Sequence, residues 1–103
     1  LMPSRFEPCG LSQLYSQRYG AVPIVRRTGG LADSVQDLDA PRPTGVVFDP
    51  PTVDALWAAL GRAATLLPNK RKWRAVMRNG MQADHSWTHS AREYLALYRA
   101  LKP

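Results

Sequence analysis

The sequence is poor in the features that would place it outside the cell or in a membrane. It has one cysteine in 103 residues, which excludes an internal disulfide and is typical of a reducing compartment. No uninterrupted apolar run approaches the ~20 residues that a membrane-spanning helix needs. No basic segment followed by an apolar block marks a signal peptide at the start. We therefore expect a cytoplasmic protein with no membrane partner.

Internal repeats and low-complexity segments are also absent, and the size fits one small domain or part of a larger one. A hydrophobic content of 45% indicates a globular chain rather than a disordered one. The formal net charge of +6 is compatible with nucleic acid, a membrane surface or a small anionic substrate, so charge alone does not choose among them. The chain opens at Leu1 with the pattern of a strand end, and we expect residues 1–103 to form a single partial domain.

The hydrophobic pattern predicts an α/β fold with a parallel sheet. Strands are expected at residues 1–3, 22–25 and 45–48, and helices at 10–19, 31–35, 53–67, 71–83 and from Ser86 or Trp87 onward. Strand and helix alternate over residues 1–50, whereas residues 51–103 are helical. Three strands are few for a parallel sheet, which needs cover on both faces, so further strands are expected upstream of Leu1.

The first and last predicted helices each gather a set of mostly apolar residues on one face, and the helices at 53–67 and 71–83 also have apolar residues at helical spacing. Residues 10–19 place Leu11, Leu14, Tyr15 and Arg18 on one face, and Gly20 ends the helix. The last helix has a longer stripe, made of Trp87, Ala91, Tyr94, Leu95, Tyr98 and Leu101. Ser90 and Glu93 would form a capping box if that helix began late, while Thr52 is the expected N-cap of the helix that follows residues 49–51.

The strongest candidate site lies in the loop before the first helix. Glu7 supplies a carboxylate, and residues 8–10 lead directly into the helix, whose first turn has unpaired backbone N–H groups. Such N–H groups bind phosphates and other anions, and Gly10 lets a ligand approach the backbone closely. The alternative is a surface glutamate and an ordinary helix start, with Ser12 in the first turn. Cys9 could instead be a nucleophile, but no histidine lies near it in sequence to act as its base.

A glycine turn at residues 28–30 follows the second predicted strand. Ligands of open α/β sheets bind at the carboxyl ends of strands, so this turn is expected to face the same cleft as Glu7. A tight turn that requires glycine explains Gly29 and Gly30 equally well. No Gly-Lys-Ser/Thr sequence follows, which excludes a phosphate-binding P-loop.

Two other groups of side chains are weaker candidates. His85, His89 and Glu93 have the spacing of a helical metal site, but the helix is expected to begin after His85, and we predict no metal. Basic residues cluster at Lys70, Arg71, Lys72, Arg74 and Arg78. Nucleic-acid binding would need stacking aromatics among them, whereas the spacing of Trp73 predicts a core position, so a solvated helix face is favoured and no nucleic acid is expected.

The sequence resembles a known enzyme family over nearly its whole length. Residues 4–14 (SRFEPCGLSQL) are similar to the donor-site motif of bacterial glycogen synthases and plant starch synthases. Residues 18–33 (RYGAVPIVRRTGGLAD) continue the likeness, and residues 44–48 and Ser86-Trp87 keep the family's order. Many related nucleotide-sugar transferases carry a second glutamate at the position that is Tyr15 here. Glycogen synthases share that departure, and it leaves the ribose contact unassigned.

The resemblance implies a GT-B fold, with this chain forming the latter half of the C-terminal nucleotide-sugar-binding domain. It implies a hexosyltransferase that moves glucose from ADP-glucose to the non-reducing end of an α-1,4-glucan, with retention and without a metal or other cofactor. Glu7 would contact the donor glucose. The donor-binding residues would be Cys9, Gly10 and Leu11, through backbone groups, and Ser12, through its hydroxyl.

The family's lysine-glycine motif is expected in an N-terminal domain that would be a partner of this chain. The arginine and lysine that neutralise the leaving diphosphate are expected upstream of the donor-site motif. The 103 residues alone are therefore predicted to be inactive, and ADP against UDP stays open. The alternative from another class is a non-catalytic module that binds nucleotide or associates with itself through apolar surface. A basic nucleic-acid-binding domain is the remaining alternative.

Overall fold

The computed structural model describes residues 1–102. The elements are α1 (Ser12–Arg18), β1 (Ile24–Arg26), α2 (Gly29–Ser34), β2 (Val46–Phe48), α3 (Val53–Leu66), α4 (Lys70–Gln82) and α5 (Trp87–Leu101). The order is the predicted α/β order, with helices alone after β2. None of these helices combines the length and the apolar content needed to cross a bilayer.

The sheet has two parallel strands, with Val25 paired to Val47 in the centre. The strand predicted at residues 1–3 is reduced to one bridge, between Met2 and Val25. Met2 nevertheless makes two sheet hydrogen bonds, since its N–H donates to Ile24 at 2.8 Å and its carbonyl accepts from Arg26 at 3.0 Å. The start of the chain is thus held against β1, and this fixes where the following loop begins.

Helices cover both faces of the sheet. Successive side chains of a strand point to opposite faces, and β2 is buried along its whole length. On one face Val25 and Val47 pack with Leu31 and Val35 at α2. On the other face Val46 and Phe48 pack with Ala59 and Ala63 of α3. Two small cores therefore hold the strands whose carboxyl ends lie near the candidate site.

Capping residues explain where the later helices begin. The Thr52 hydroxyl accepts from the Ala55 N–H, as the sequence predicts for α3, and Asn69 caps α4 in the same way. For α5 the capping box at Ser90 and Glu93 is wrong, because Ser86 is the N-cap and its hydroxyl accepts from the His89 N–H at 3.3 Å.

The apolar stripes of α1 and α5 are not the buried faces. In α1, Leu11 and Tyr15 are 55% and 59% exposed, and the buried side chains are Gln13 and Gln17. In α5 no residue is buried, and Trp87 is 85% exposed. Regular spacing identifies a possible buried face, but whether it is buried depends on what packs there: Leu14 is only half-buried, and no residue of the α5 stripe is buried by residues 1–102.

Candidate functional site

The loop from Glu7 to Leu11, here called the Glu7 loop, lies directly on the glycine turn after β1. The Gly30 N–H donates to the Glu7 carbonyl at 3.0 Å. A Cβ at Gly29 would overlap the Glu7 carbonyl, and one at Gly30 would overlap the Cys9 carbonyl. The glycine pair is therefore required by the close approach of another backbone segment. This contact also brings the turn to the Glu7 loop, as the position of both at strand ends predicted.

The buried side chain of Gln13 holds the Glu7 loop by hydrogen bonds. Its side chain is 1% exposed, and its Nε2 donates to the carbonyls of Cys9 at 3.0 Å and Gly10 at 2.8 Å. Gly10 has a φ of +74°, in the left-handed region that favours glycine, and a Cβ there would meet the Gln13 amide. The sharp turn at Gly10 thus depends on the glycine and on the glutamine beneath it.

This arrangement sets the direction of two backbone N–H groups. The peptide bonds here are trans, so each N–H points away from the carbonyl of the same peptide plane. The carbonyls of Cys9 and Gly10 point inward to Gln13, and the N–H groups of Gly10 and Leu11 therefore point away from it. Two adjacent N–H groups that both point away from Gln13 are available to anionic oxygens of a ligand.

The Glu7 side chain is half-buried beside this loop. The Ser4 hydroxyl donates to its Oε2 at 3.4 Å, which leaves most of the acceptor capacity of the carboxylate unused by that bond. Arg26 fixes the approach to Glu7, because its guanidinium donates to the Arg5 carbonyl at 2.7 Å and to the Asp49 carbonyl at 2.9 Å. A carboxylate with free lone pairs can accept hydroxyl groups of a sugar.

The other predicted donor residues are close to Glu7 but differ in their surroundings. The Cys9 side chain is exposed, and its backbone takes part in the loop through the carbonyl that Gln13 binds. Leu11 is the N-cap residue of α1, without a side-chain cap, and Ser12 is the first helical residue. Both are exposed. The helix begins two residues later than predicted.

Sequence reasoning missed the residues that hold the loop. Gln13, Gln17 and Ser34 are joined by hydrogen bonds, and Ser34 also donates to the Gly30 carbonyl. Hydrophobic periodicity gives no signal for buried amides, because their burial depends on partners distant in sequence. The one available signal was the spacing of Gln13 and Gln17, which places both on one face of the helix.

A cavity of about 450 Å³ lies between the Glu7 loop and the start of α5. Its lining includes Cys9, Gly30, Ser34, His85 and His89. His85 contacts Gln17 and His89 pairs with Glu93 at 3.4 Å, so the three candidate metal ligands do not converge. Among residues 1–102 no group of three or more His, Cys, Asp or Glu side chains is placed to hold a metal ion.

The basic residues of α4 are exposed, whereas Trp73 is half-buried against the core of Val46 and Phe48. This agrees with a solvated helix face.

Comparison with known proteins gives the class of protein first. The catalytic domain of starch synthase IV from Arabidopsis thaliana, determined bound to ADP and acarbose, superimposes with a TM-score of 0.80 at 39% identity over 95% of this chain. Sucrose-phosphate synthase from Thermosynechococcus elongatus gives a TM-score of 0.66 at 31% identity over 96% of it. These neighbours are GT-B glycosyltransferases, and the chain has part of that fold.

The curated sequences define the family within that class. Glycogen synthase from Rhodospirillum rubrum is 57% identical over 98% of this chain, and glycogen synthase from Anaeromyxobacter sp. strain K is 54% identical over all of it. The chain belongs to the bacterial glycogen synthase and plant starch synthase family. It spans about a fifth of the length of these relatives, 21% and 22% respectively. No protein-family model matches the chain.

Proposed function

We propose that the chain is the donor-binding part of a hexosyltransferase that transfers glucose from ADP-glucose to the non-reducing end of an α-1,4-glucan with retention. In this proposal it forms the latter half of the C-terminal nucleotide-sugar-binding domain of a cytoplasmic enzyme. The observation that carries the proposal is the arrangement of the Glu7 loop, which presents a carboxylate beside two outward N–H groups.

Each part of the loop has a role in the proposed reaction. Glu7 accepts hydroxyl groups of the transferring glucose and opposes the positive charge that develops at its anomeric carbon. The N–H groups of Gly10 and Leu11 donate to a phosphate or sugar oxygen, and the exposed Ser12 hydroxyl adds a third donor. No metal or other cofactor takes part. The cationic groups for the diphosphate lie upstream of this chain, and the lysine-glycine motif for the glucose and the acceptor comes from an N-terminal domain of the same enzyme.

The comparisons support the choice of substrates by analogy. The starch synthase with which the chain superimposes carries ADP, the nucleoside diphosphate that an ADP-glucose donor would release, and acarbose. The relatives named glycogen synthase support a glucan product. The donor and the acceptor are carried over to this chain as part of the proposal.

The test is glucan elongation by the complete protein that contains this chain. Glu7→Gln keeps the size of the side chain and removes its charge, and we expect a loss of activity on the order of 100-fold, as when one preorganised electrostatic group is removed. Glu93 is the other glutamate of the sequence and lies exposed on α5, so Glu93→Gln is the matched control and should leave the rate nearly unchanged. Equal rates for the two variants would contradict the proposal.

A second candidate function is a self-associating module, and the exposed stripe of α5 favours it. Trp87 and Tyr98 are 85% and 64% exposed on a helix that buries none of its residues. Sedimentation of the 103-residue chain at increasing concentration tests this candidate, and a mass that stays monomeric would contradict it.

A further inference from the structure

Two buried glutamines join the Glu7 loop to the segment that precedes α5. Gln13 and Gln17 are each 1% exposed and lie one helical turn apart on α1. Buried amides need hydrogen-bond partners, because an unpaired polar group in the interior costs free energy. The partners of these two side chains form one continuous path.

The path begins at the Glu7 loop with Gln13. Besides the carbonyls of Cys9 and Gly10, the Gln13 Nε2 contacts the Ser34 Oγ at 3.0 Å. The Gln13 Oε1 is buried without a partner among residues 1–102. The orientation of this amide is therefore held by its nitrogen alone, and Ser34 is the partner outside the loop.

Gln17 continues the path from Ser34 to His85. Its Nε2 donates to the Ser34 carbonyl at 3.0 Å and contacts the Thr44 Oγ1 at 3.3 Å. Its Oε1 lies 3.0 Å from His85 Nε2. Because an amide oxygen can only accept, the His85 Nε2–H is the donor of this hydrogen bond.

His85 is well placed to transmit the position of the chain before α5. It lies between the end of α4 and Ser86, the N-cap of α5, while α5 itself buries no residue. The side chain of His85 thus ties this connection to the interior of α1, 68 residues away in sequence.

We propose that His85 is a positioning residue for the candidate donor site, acting through Gln17, Ser34 and Gln13 on the two peptide planes of the Glu7 loop. When the path is intact, the carbonyls of Cys9 and Gly10 are held inward and the N–H groups of Gly10 and Leu11 point outward. What these N–H groups bind rests on the proposed function, whereas the path itself does not.

The test is nuclear magnetic resonance of the 103-residue chain without ligand. His85→Leu removes the bond to Gln17 and should shift the amide resonances of Gly10 and Leu11, because the two peptide planes are then held less firmly. Thr88→Leu is the control, since Thr88 is exposed on α5 and does not line the cavity beside the Glu7 loop, and it should leave both amides unchanged. Unmoved amides in His85→Leu, or an equal change in Thr88→Leu, would overturn the proposal.

Two further variants separate positioning from general loosening. In His85→Gln the side-chain amide can reach the same acceptor, so the resonances of Gly10 and Leu11 should return toward those of the unchanged chain. Ser34→Ala interrupts the path at its centre and should move both amides while His85 is retained. The path is rejected if His85→Gln does not restore the Gly10 and Leu11 resonances and Ser34→Ala does not move them.

ADP addition to the unchanged chain distinguishes the two proposals. Failure of ADP to perturb Gly10 and Leu11 counts against the donor site. The ligand-free comparison of His85→Leu with Thr88→Leu still decides whether His85 positions the loop.

Discussion

The Gly30 N–H donates to the Glu7 carbonyl at 3.0 Å, so the loop that carries the candidate sugar-binding carboxylate is fixed to the turn after β1. This bond joins two segments that are each held independently. Arg26 and Met2 fix the approach to Glu7, and the core around Leu31 fixes the turn. The position of the Glu7 backbone is thus set by packing between two segments, while the carboxylate itself has one long hydrogen bond, from Ser4.

Gly30→Ala should destabilise the chain because a methyl group at this position would overlap the Cys9 carbonyl. We expect a loss of about 2–3 kcal/mol in the free energy of unfolding, typical of overpacking against backbone. Gly61→Ala is the control. Gly61 lies within α3, and a Cβ there would meet no atom within 4 Å. Because alanine loses less conformational entropy than glycine in a helix, this change should stabilise the chain by about 0.5–1 kcal/mol. Urea denaturation measures both, and similar values for the two variants would contradict the packing argument.

Asp37 and Arg62 should make stability depend on acid pH. Burial tends to raise the pKa of Asp37, but the hydrogen bonds from Arg62 and from the Val47 N–H outweigh it and lower the pKa. The Arg62 Nη2 lies 2.6 Å from the Asp37 Oδ2. A lowered pKa in the folded state gives stability that is present above the ordinary value, about 3.9, and is lost as the pH falls through the lower folded value.

Asp37→Asn tests this. We expect it to cost about 1–2 kcal/mol at pH 7, as when a hydrogen bond to a charged group is lost, and to unfold with a smaller dependence on pH below about 4. Urea midpoints measured between pH 7 and pH 2.5 decide the matter. A variant whose midpoint falls as steeply as that of the unchanged chain would show that Asp37 is not the titrating group.

Ser86 should support α5 more than Ser90 does. Because α5 buries none of its residues, its stability depends on local interactions, and the Ser86 hydroxyl accepts from the His89 N–H. Ser86→Ala should weaken the first turn by about 1 kcal/mol, seen as faster hydrogen exchange there. Ser90 lies inside the helix, so Ser90→Ala should not weaken the first turn. A larger effect at Ser90 than at Ser86 would contradict Ser86 as the N-cap and support a later helix start.

The 103-residue chain should elongate no glucan by itself. In the proposed function the acceptor and diphosphate contacts come from outside this chain, which spans 21% of the length of the Rhodospirillum rubrum glycogen synthase. Radiolabelled ADP-glucose offered with glycogen should leave no label in polymer, with the complete protein as the positive control. Measurable incorporation by the chain alone would mean that residues 1–103 hold a complete site.

The sequence predicts the elements of this fold better than it predicts what they bury. β2 and α3 follow from a β-branched run and from Thr52 as a cap, because both signals are local. The buried face of α1 could not be found this way, since Gln17 is buried through bonds to Ser34, Thr44 and His85 that only folding brings together. The stripe of α5 was recognised, but residues 1–102 supply no surface that covers it.

The candidate site likewise has parts that the sequence predicts and parts that only the structure explains. The sequence predicts Glu7 and Gly10 as site residues, because a carboxylate and a glycine that precede a helix can be recognised in a sequence. The sequence alone allows two explanations for Gly29 and Gly30, a bound ligand or a tight turn. The structure gives a third reason, since the Glu7 loop itself occupies the space where their side chains would be.

Titration of the chain with ADP tests the central claim, that the Glu7 loop binds the nucleotide-sugar donor. We predict saturable amide shifts concentrated at Gly10, Leu11 and Ser12, and much smaller shifts with adenosine, which lacks the diphosphate. Shifts confined to the basic face of α4, or none at the Glu7 loop at millimolar ADP, would contradict the assignment.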